Sequence, residues 1–193
     1  MFDHGGPRGS SQTSLIWQTL IRRSVADPVG CSDRHCWLMR KDLQHLPLIS
    51  APTRQLIREG FSSQDAAQIH LLLALAHPEG GSVPDYPAWL RAFETDAEFD
   101  PNLCFTAWDG AQLSGVIQCW TSGFIKDLVV SPHARRQGIA LALLNHAFQA
   151  FARRGEARVD LKVMENNLPA RRLYEKVEMH YVQRSELIWP DLA

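Results

Sequence analysis

The chain has 193 residues, 45% of them apolar, which is enough to bury one core and too few to require two. Its 20 basic residues stand against 21 acidic ones for a net charge of −1, so the basic excess of a dedicated nucleic-acid binder is missing. No apolar run exceeds the length of Leu71 to Ala76, far below the roughly 20 residues of a membrane-spanning helix. A soluble, cytoplasmic protein is expected, with no membrane or nucleic acid among its partners.

Residues 1–35 differ from the rest. Between residues 4 and 26 there are arginines, serines and threonines but no acid, and Leu15, Ile16, Leu20 and Ile21 are spaced like a short amphipathic helix. That composition is similar to a transit peptide, while a ragged extension or a small packing helix explains it more simply. Cys31, His35 and Cys36 lie together, yet no second pair of ligands follows at zinc-site spacing, so no metal is expected. Cys104 and Cys119 sit in apparent strands and read as buried free thiols.

From residue 36 to residue 193 one domain is expected. "HCWLMR" and "TRQLIREGF" read as short extended segments, with Pro47 and Pro52 preventing one continuous element. "SSQDAAQIHLLLALA" reads as a helix capped by Ser62 or Ser63, with Asp65 in its first turn and Ala66, Ile69, Leu72, Leu73 and Ala76 on its apolar face. The turn-rich stretch 78–87 leads to a second short helix, Ala88 to Phe93. "LCFTAW", "LSGVIQCW" and "FIKDLVV", broken by "DGAQ" and "TSG", are punctuated like an antiparallel meander.

A dense apolar helix starts after Gly138, "ARVDLKVM" alternates as a strand, "LPARRLYEK" is a helix with Pro169 in its first turn, and "HYVQRSELIW" closes as a strand. The strand at 124–130, the helix from 138 and the strand at 157–164 form one crossover. The order predicts an α/β (α+β) fold whose central sheet is mixed, mainly antiparallel, and flanked by helices.

"VVSPHARRQGIALALL" then lies between the C-terminal end of a strand and the start of a helix. A helix's first turn has amides without internal acceptors, and the aligned peptide dipoles add partial positive charge. Gly138 lets an anion approach the backbone, Ala140 keeps the next position small, and Arg135 and Arg136 add charge. Without a Gly-Lys-Ser/Thr sequence, the loop is suited to hold a phosphate rather than cleave one. By itself it could also be an ordinary helix start with solvated arginines.

A second stretch, "LKVMENNLPARRLYEK", stands at the distance expected in the GNAT-type acyl-CoA-dependent N-acetyltransferases, which this chain resembles over roughly Thr53 to Trp189. The resemblance implies that Arg135, Gly138 and Ala140 occupy the pyrophosphate-binding motif of acetyl-CoA, with Arg136 beside it and backbone donors from Gln137, Gly138, Ile139 and Ala140. It implies that Leu128 and Val130 lie along the pantetheine arm, and that an amide near Val129 or Val130 stabilises the oxyanion. Asn167 falls where the family hydrogen-bonds the cofactor, although an asparagine there also caps a helix. Asn167, Ala170 and Tyr174 follow at i, i+3 and i+7 on one helix face.

Tyr174 corresponds to the family's general acid for the departing thiolate. A tyrosine near 10 suits a thiol near 8.5, and the plainer alternative is a core tyrosine. Asp127 is the first candidate to take the amine's proton, with Glu178 and His180 behind it, while a solvated strand carboxylate is the plainer reading. His133 reads as a solvated turn residue and His146 as a surface or rim residue.

The implied activity is acetyl transfer from acetyl-CoA to a primary amine by direct attack, the amine carried by a small molecule or peptide. A silent CoA-binding module is the alternative, and a homodimer is left open. His77, Glu79, Asp85, Tyr86 and Glu178 hint at a cationic acceptor. The chain departs from the family at Glu178 and Met179, where glycine and an aromatic are usual. Glu178 should cost about 1 kcal/mol there or force a different helix ending.

Overall fold

A computed structural model describes residues 35–44, 53–76 and 83–186. The N-terminal extension, Cys31, Pro47 and Pro52, His77 and Glu79, and the end of the closing strand therefore lie outside the described residues. The strands are β1 (His35–Asp42), β2 (Leu56–Glu59), β3 (Phe99–Asp109), β4 (Gln112–Trp120), β5 (Phe124–Val130), β6 (Arg158–Met164) and β7 (His180–Glu186). The helices are α1 (Ala66–Ala76), α2 (Tyr86–Glu94), α3 (Ile139–Arg153) and α4 (Leu168–Lys176). The seven strands make one sheet in the order β2-β3-β4-β5-β6-β1-β7.

Alternation along the strands divides the core between the two faces of the sheet. On one face Leu103, Phe105, Ile117, Ile125, Val159 and Leu161 pack with Leu143, Leu144, Phe148 and Phe151 of α3 and Tyr174 of α4. On the other, Cys104, Trp108, Val116 and Val129 pack with Ile69, Leu72 and Leu73 of α1 and Trp89 and Phe93 of α2. Every ladder is antiparallel except β5 with β6, which the crossover through α3 makes parallel. The mixed, mainly antiparallel sheet flanked by helices is the architecture expected from the order of elements.

Helix α1 starts later than expected. The Ser62 hydroxyl accepts from the amide of Gln64 and its carbonyl from the amide of Asp65, so a turn fills 63–65 and the helix begins at Ala66. Asp65 thus precedes the first turn instead of lying in it. Serine side chains compete for nearby amides in this way, which separates a turn from the helix that follows it.

The β5–β6 ladder matters most for the site. It holds only Phe124 opposite Asp160 and Ile125 opposite Leu161. On its other edge β5 pairs with β4, Cys119 opposite Ile125 but Gln118 opposite Asp127, so Lys126 is an extra residue, a β-bulge. The bulge bends β5 away while β6 stays straight, held along its far edge by β1 from Asp42–Arg158 to Cys36–Met164. The two strands part from Lys126 onward, and the β5 backbone from Lys126 to Val130 has an edge without a strand partner on the β6 side.

Candidate active site

The loop from Ser131 to Gly138 joins the free end of β5 to α3. Pro132–Ala134 forms a single 3-10 turn, Arg135 is extended, and Arg136 and Gly138 are left-handed at φ 65° and 80°. Gly138 is the N-cap of α3 and has no side chain with which to cap it. The first-turn amides of α3 are therefore offered outward with the positive end of the helix dipole behind them. Arg135, Arg136 and Gln137 are exposed, and Ile139 is buried beneath them. The contacts that hold the loop include the Arg135 Nε donating to the Val130 carbonyl at 3.5 Å, the Gln55 Nε2 donating to the Gln137 Oε1 at 3.0 Å, the Gln137 Nε2 donating to the His133 carbonyl at 3.5 Å and the Ser131 amide donating to the Ser114 carbonyl at 2.9 Å.

Gly115 on β4 sets the depth at which α3 sits. A Cβ there would lie 2.9 Å from Ile139 Cγ2, 3.1 Å from Leu143 Cδ1 and 3.3 Å from the Val129 carbonyl oxygen. Only glycine lets the start of α3, and with it the amide cradle, lie against the sheet beside β5. The signal for it was a glycine in the interior of the strand "LSGVIQCW", which marks close approach of another element.

On β5, Val129 is buried on the α1/α2 face, whereas Leu128 and Val130 are half-buried against the α3 cluster. All three lie along the parted edge. The Asp127 side chain is 12% exposed and 3.9 Å from the Lys126 ammonium. Tyr174 of α4 is buried, and its hydroxyl makes no hydrogen bond to another described residue. Burial, and then the negative charge of Asp127, push this phenol up to about 12. The value near 10 assumed from sequence is corrected, and the hydroxyl is a weaker acid that keeps its proton throughout the neutral range.

Asn167 is the N-cap of α4, and its Oδ1 accepts from the amide of Ala170 at 3.2 Å. Its Nδ2 plays no part in that cap. Ala170 is half-buried. Asn167 is exposed and Tyr174 buried, so burial deepens through these three residues from the cap of α4 to its last turn.

At the far end of α4 the departure at Glu178 resolves without a new helix ending. Glu178 itself adopts the left-handed conformation, φ 62°. The Met179 amide donates to the Tyr174 carbonyl and the Glu178 amide to the Glu175 carbonyl, both at 2.9 Å, which is the bonding of a glycine-type helix terminus. The Glu178 carboxylate is paired at 2.9 Å with Lys41 of β1, whose side chain is only 4% exposed. Asp85 is likewise engaged, capping α2 through the amide of Ala88. Tyr86 stands edge-on to the ring of His70, 5.6 Å between centroids. His133, His146 and His180 are exposed. Of the carboxylates read as attracting a cationic acceptor, Asp85 and Glu178 are thus committed to the fold.

A sequence model of the acetyltransferase (GNAT) family matches residues 66–179, more than half of the chain and a span that includes the α3 loop and Tyr174. A mycothiol acetyltransferase of Beutenbergia cavernae is 33% identical over 121 residues, covering 56% of this chain and 40% of that one. A mycothiol acetyltransferase of Geodermatophilus obscurus is 31% identical over 135 residues, 62% of this chain and 41% of that one. The chain spans about two fifths of the length of these curated relatives. A crystal structure of a GCN5-related N-acetyltransferase from Sphaerobacter thermophilus superposes with a TM-score of 0.67 at 26% identity, over 92% of this chain and 55% of that chain. The seven-stranded sheet with its parted β5 and β6, the amide cradle at α3 and the extent of the sequence match together establish that the chain belongs to the acetyltransferase (GNAT) family.

Proposed function

We propose that the chain transfers an acetyl group from acetyl-CoA to a primary amine by direct attack. The observation that carries this reading is the placing of an uncapped, left-handed Gly138 helix start at the mouth of the opening between β5 and β6. The cradle fits a diphosphate, because the first amides of α3 point outward and Arg135 and Arg136 are exposed beside them. Leu128 and Val130, with the unpaired backbone edge of β5, fit an extended amide-bearing arm, and Asn167 Nδ2 is a donor on the opposite wall. When bound, acetyl-CoA supplies an activated thioester carbonyl.

The chain's own groups do the rest. Asp127 takes the proton of an ammonium that enters from the α1/α2 side, and an amide of the Val129–Val130 edge stabilises the developing oxyanion. Tyr174 delivers its proton to the departing sulfur and recovers one from the newly acylated nitrogen, and its raised proton affinity ensures that it is loaded when that step arrives. The acceptor is an amine, the class that the name of the Sphaerobacter thermophilus N-acetyltransferase implies.

Calorimetry with coenzyme A tests the cradle. The parent chain should bind, and Gly138→Val, which places a β-branched residue at φ 80°, should lose at least tenfold in affinity. A parent without affinity, or a variant with unchanged affinity, overturns the reading. A panel of amines assayed by free-thiol release tests turnover, and binding without turnover of any amine would identify a silent CoA module instead.

A further inference from the structure

Among the described residues, buried side-chain nitrogen or oxygen atoms lack a hydrogen-bond partner in two side chains, His35 and Gln118, and the His35 Nδ1 lies 4.0 Å from the Glu165 carboxylate. Lys41 has Glu178, and Thr106 accepts from the Trp108 indole at 2.8 Å. Gln118 on β4 is 1% exposed, and neither its Nε2 nor its Oε1 has a hydrogen-bond partner among the described residues. A buried carboxamide that hydrogen-bonds no protein group works against folding. Its persistence calls for a use other than stability.

Its neighbours indicate which use. Strand alternation puts Gln118 on the same face as Val116, beneath α1 and α2, and the ladders set it opposite Asp127 of β5 and Cys104 of β3. The bulge residue between Asp127 and Ile125 is Lys126, itself buried, with its ammonium 5.5 Å from the ring of Phe93 and 6.0 Å from that of Trp120. The separation of 3.9 Å between Lys126 and Asp127 is an ion pair without a hydrogen bond, and neither side chain hydrogen-bonds another described residue. Three polar groups with complementary capacity are thus gathered at the parting of β5 and β6. Asp127 has oxygens to receive protons, Lys126 has protons to give, and the Gln118 carboxamide has both.

We propose that Gln118 is a positioning residue for the acceptor amine's proton transfer, an inference that rests on the reading of Asp127 as the proton acceptor. With an amine present, Gln118 Nε2 donates to one oxygen of Asp127 and Gln118 Oε1 accepts from Lys126 Nζ. The second Asp127 oxygen is then aimed at the ammonium, whose N–H bond breaks as an O–H bond forms on the carboxylate. The nitrogen keeps the electron pair for attack, and the carboxyl later returns its proton to water. Hydrogen bonds of this kind are commonly long before the substrate is bound and close in the complex.

The test is Gln118→Met in the full chain, a change close in volume that removes both hydrogen-bonding atoms. The variant should melt at or above the temperature of the parent and keep its thermal shift with acetyl-CoA. Its kcat for an amine turned over by the parent should fall at least tenfold, with KM for acetyl-CoA unchanged. A variant that melts well below the parent would make the carboxamide a structural group, and one with the parent's kcat would make it idle; either overturns the proposal. Failure of the underlying reading shows separately, as an Asp127→Asn variant with undiminished kcat, and removes the proposal with it.

Discussion

Replacing Glu178 with glycine should destabilise the protein, and the same replacement should stabilise it once Lys41 is gone. At φ 62° a glutamate is strained by about 1 kcal/mol relative to glycine, so the substitution by itself relieves that amount. It also strips Lys41 of its partner. A fully buried ion pair broken on one side costs about 3–5 kcal/mol and an exposed pair at most about 1. Here the lysine side chain is 4% exposed and the glutamate 63%, which places the loss near 2 kcal/mol. Glu178→Gly in the parent should thus cost about 1 kcal/mol net. In a Lys41→Met background only the relief remains, a gain of about 1 kcal/mol or a rise of about 2–4 °C in Tm. Urea and thermal denaturation of the four proteins give the coupling, about 2 kcal/mol. The same sign of effect in both backgrounds would refute either the strain or the pairing.

Gly115→Ala should lower stability by about 1–3 kcal/mol, because the Val129 carbonyl at 3.3 Å cannot turn aside as a side chain can, and it should weaken coenzyme A binding by tilting the start of α3. Calorimetry that shows parental affinity would disprove the second part. Tyr174→Phe should change stability at neutral pH by less than about 0.5 kcal/mol, since the hydroxyl bonds no described residue, yet reduce kcat by about 10²–10⁴. Undiminished turnover would take the acid role from Tyr174. The raised phenol of Tyr174 also gives a pH signature. A neutral phenol is favoured by the folded state, so its stabilising contribution is complete below pH 10 and is lost as pH rises through about 12. Melting curves across that interval should fall more steeply for the parent than for Tyr174→Phe, and parallel curves would contradict the assignment.

The helices, the three-strand meander and the crossover were legible because apolar spacing is a local property: Ile69, Leu72 and Leu73, or Val159, Leu161 and Val163, point the same way whatever surrounds them. The α3 loop was legible for the same reason, since a glycine before an apolar helix carries its meaning within a few residues. The Lys126 bulge was not, because an extra residue exists only relative to β4, and "FIKDLVV" has no irregularity of its own. Lys41 and Glu178 lie 137 positions apart, and no spacing rule links them. Without that partner the left-handed glutamate could be priced from sequence but not explained. Gln118 stood in plain view inside an apolar strand, yet its lack of partners becomes visible only when both neighbouring strands are in place.

The position of β1 in the sheet bears on how the molecule is made. This strand lies between β6 and β7, and its Arg40 grips Asp160, 120 residues later, with two contacts of 2.7 Å. A ribosome releases β1 long before either neighbour exists, so this half of the sheet cannot close until residue 186 has emerged. Loop closure over such separations slows folding, and the nascent strand must stay unpaired in the meantime. The alternation of Arg40 and Asp42 with Met39 and Lys41 keeps that waiting strand charged enough to discourage association with other chains.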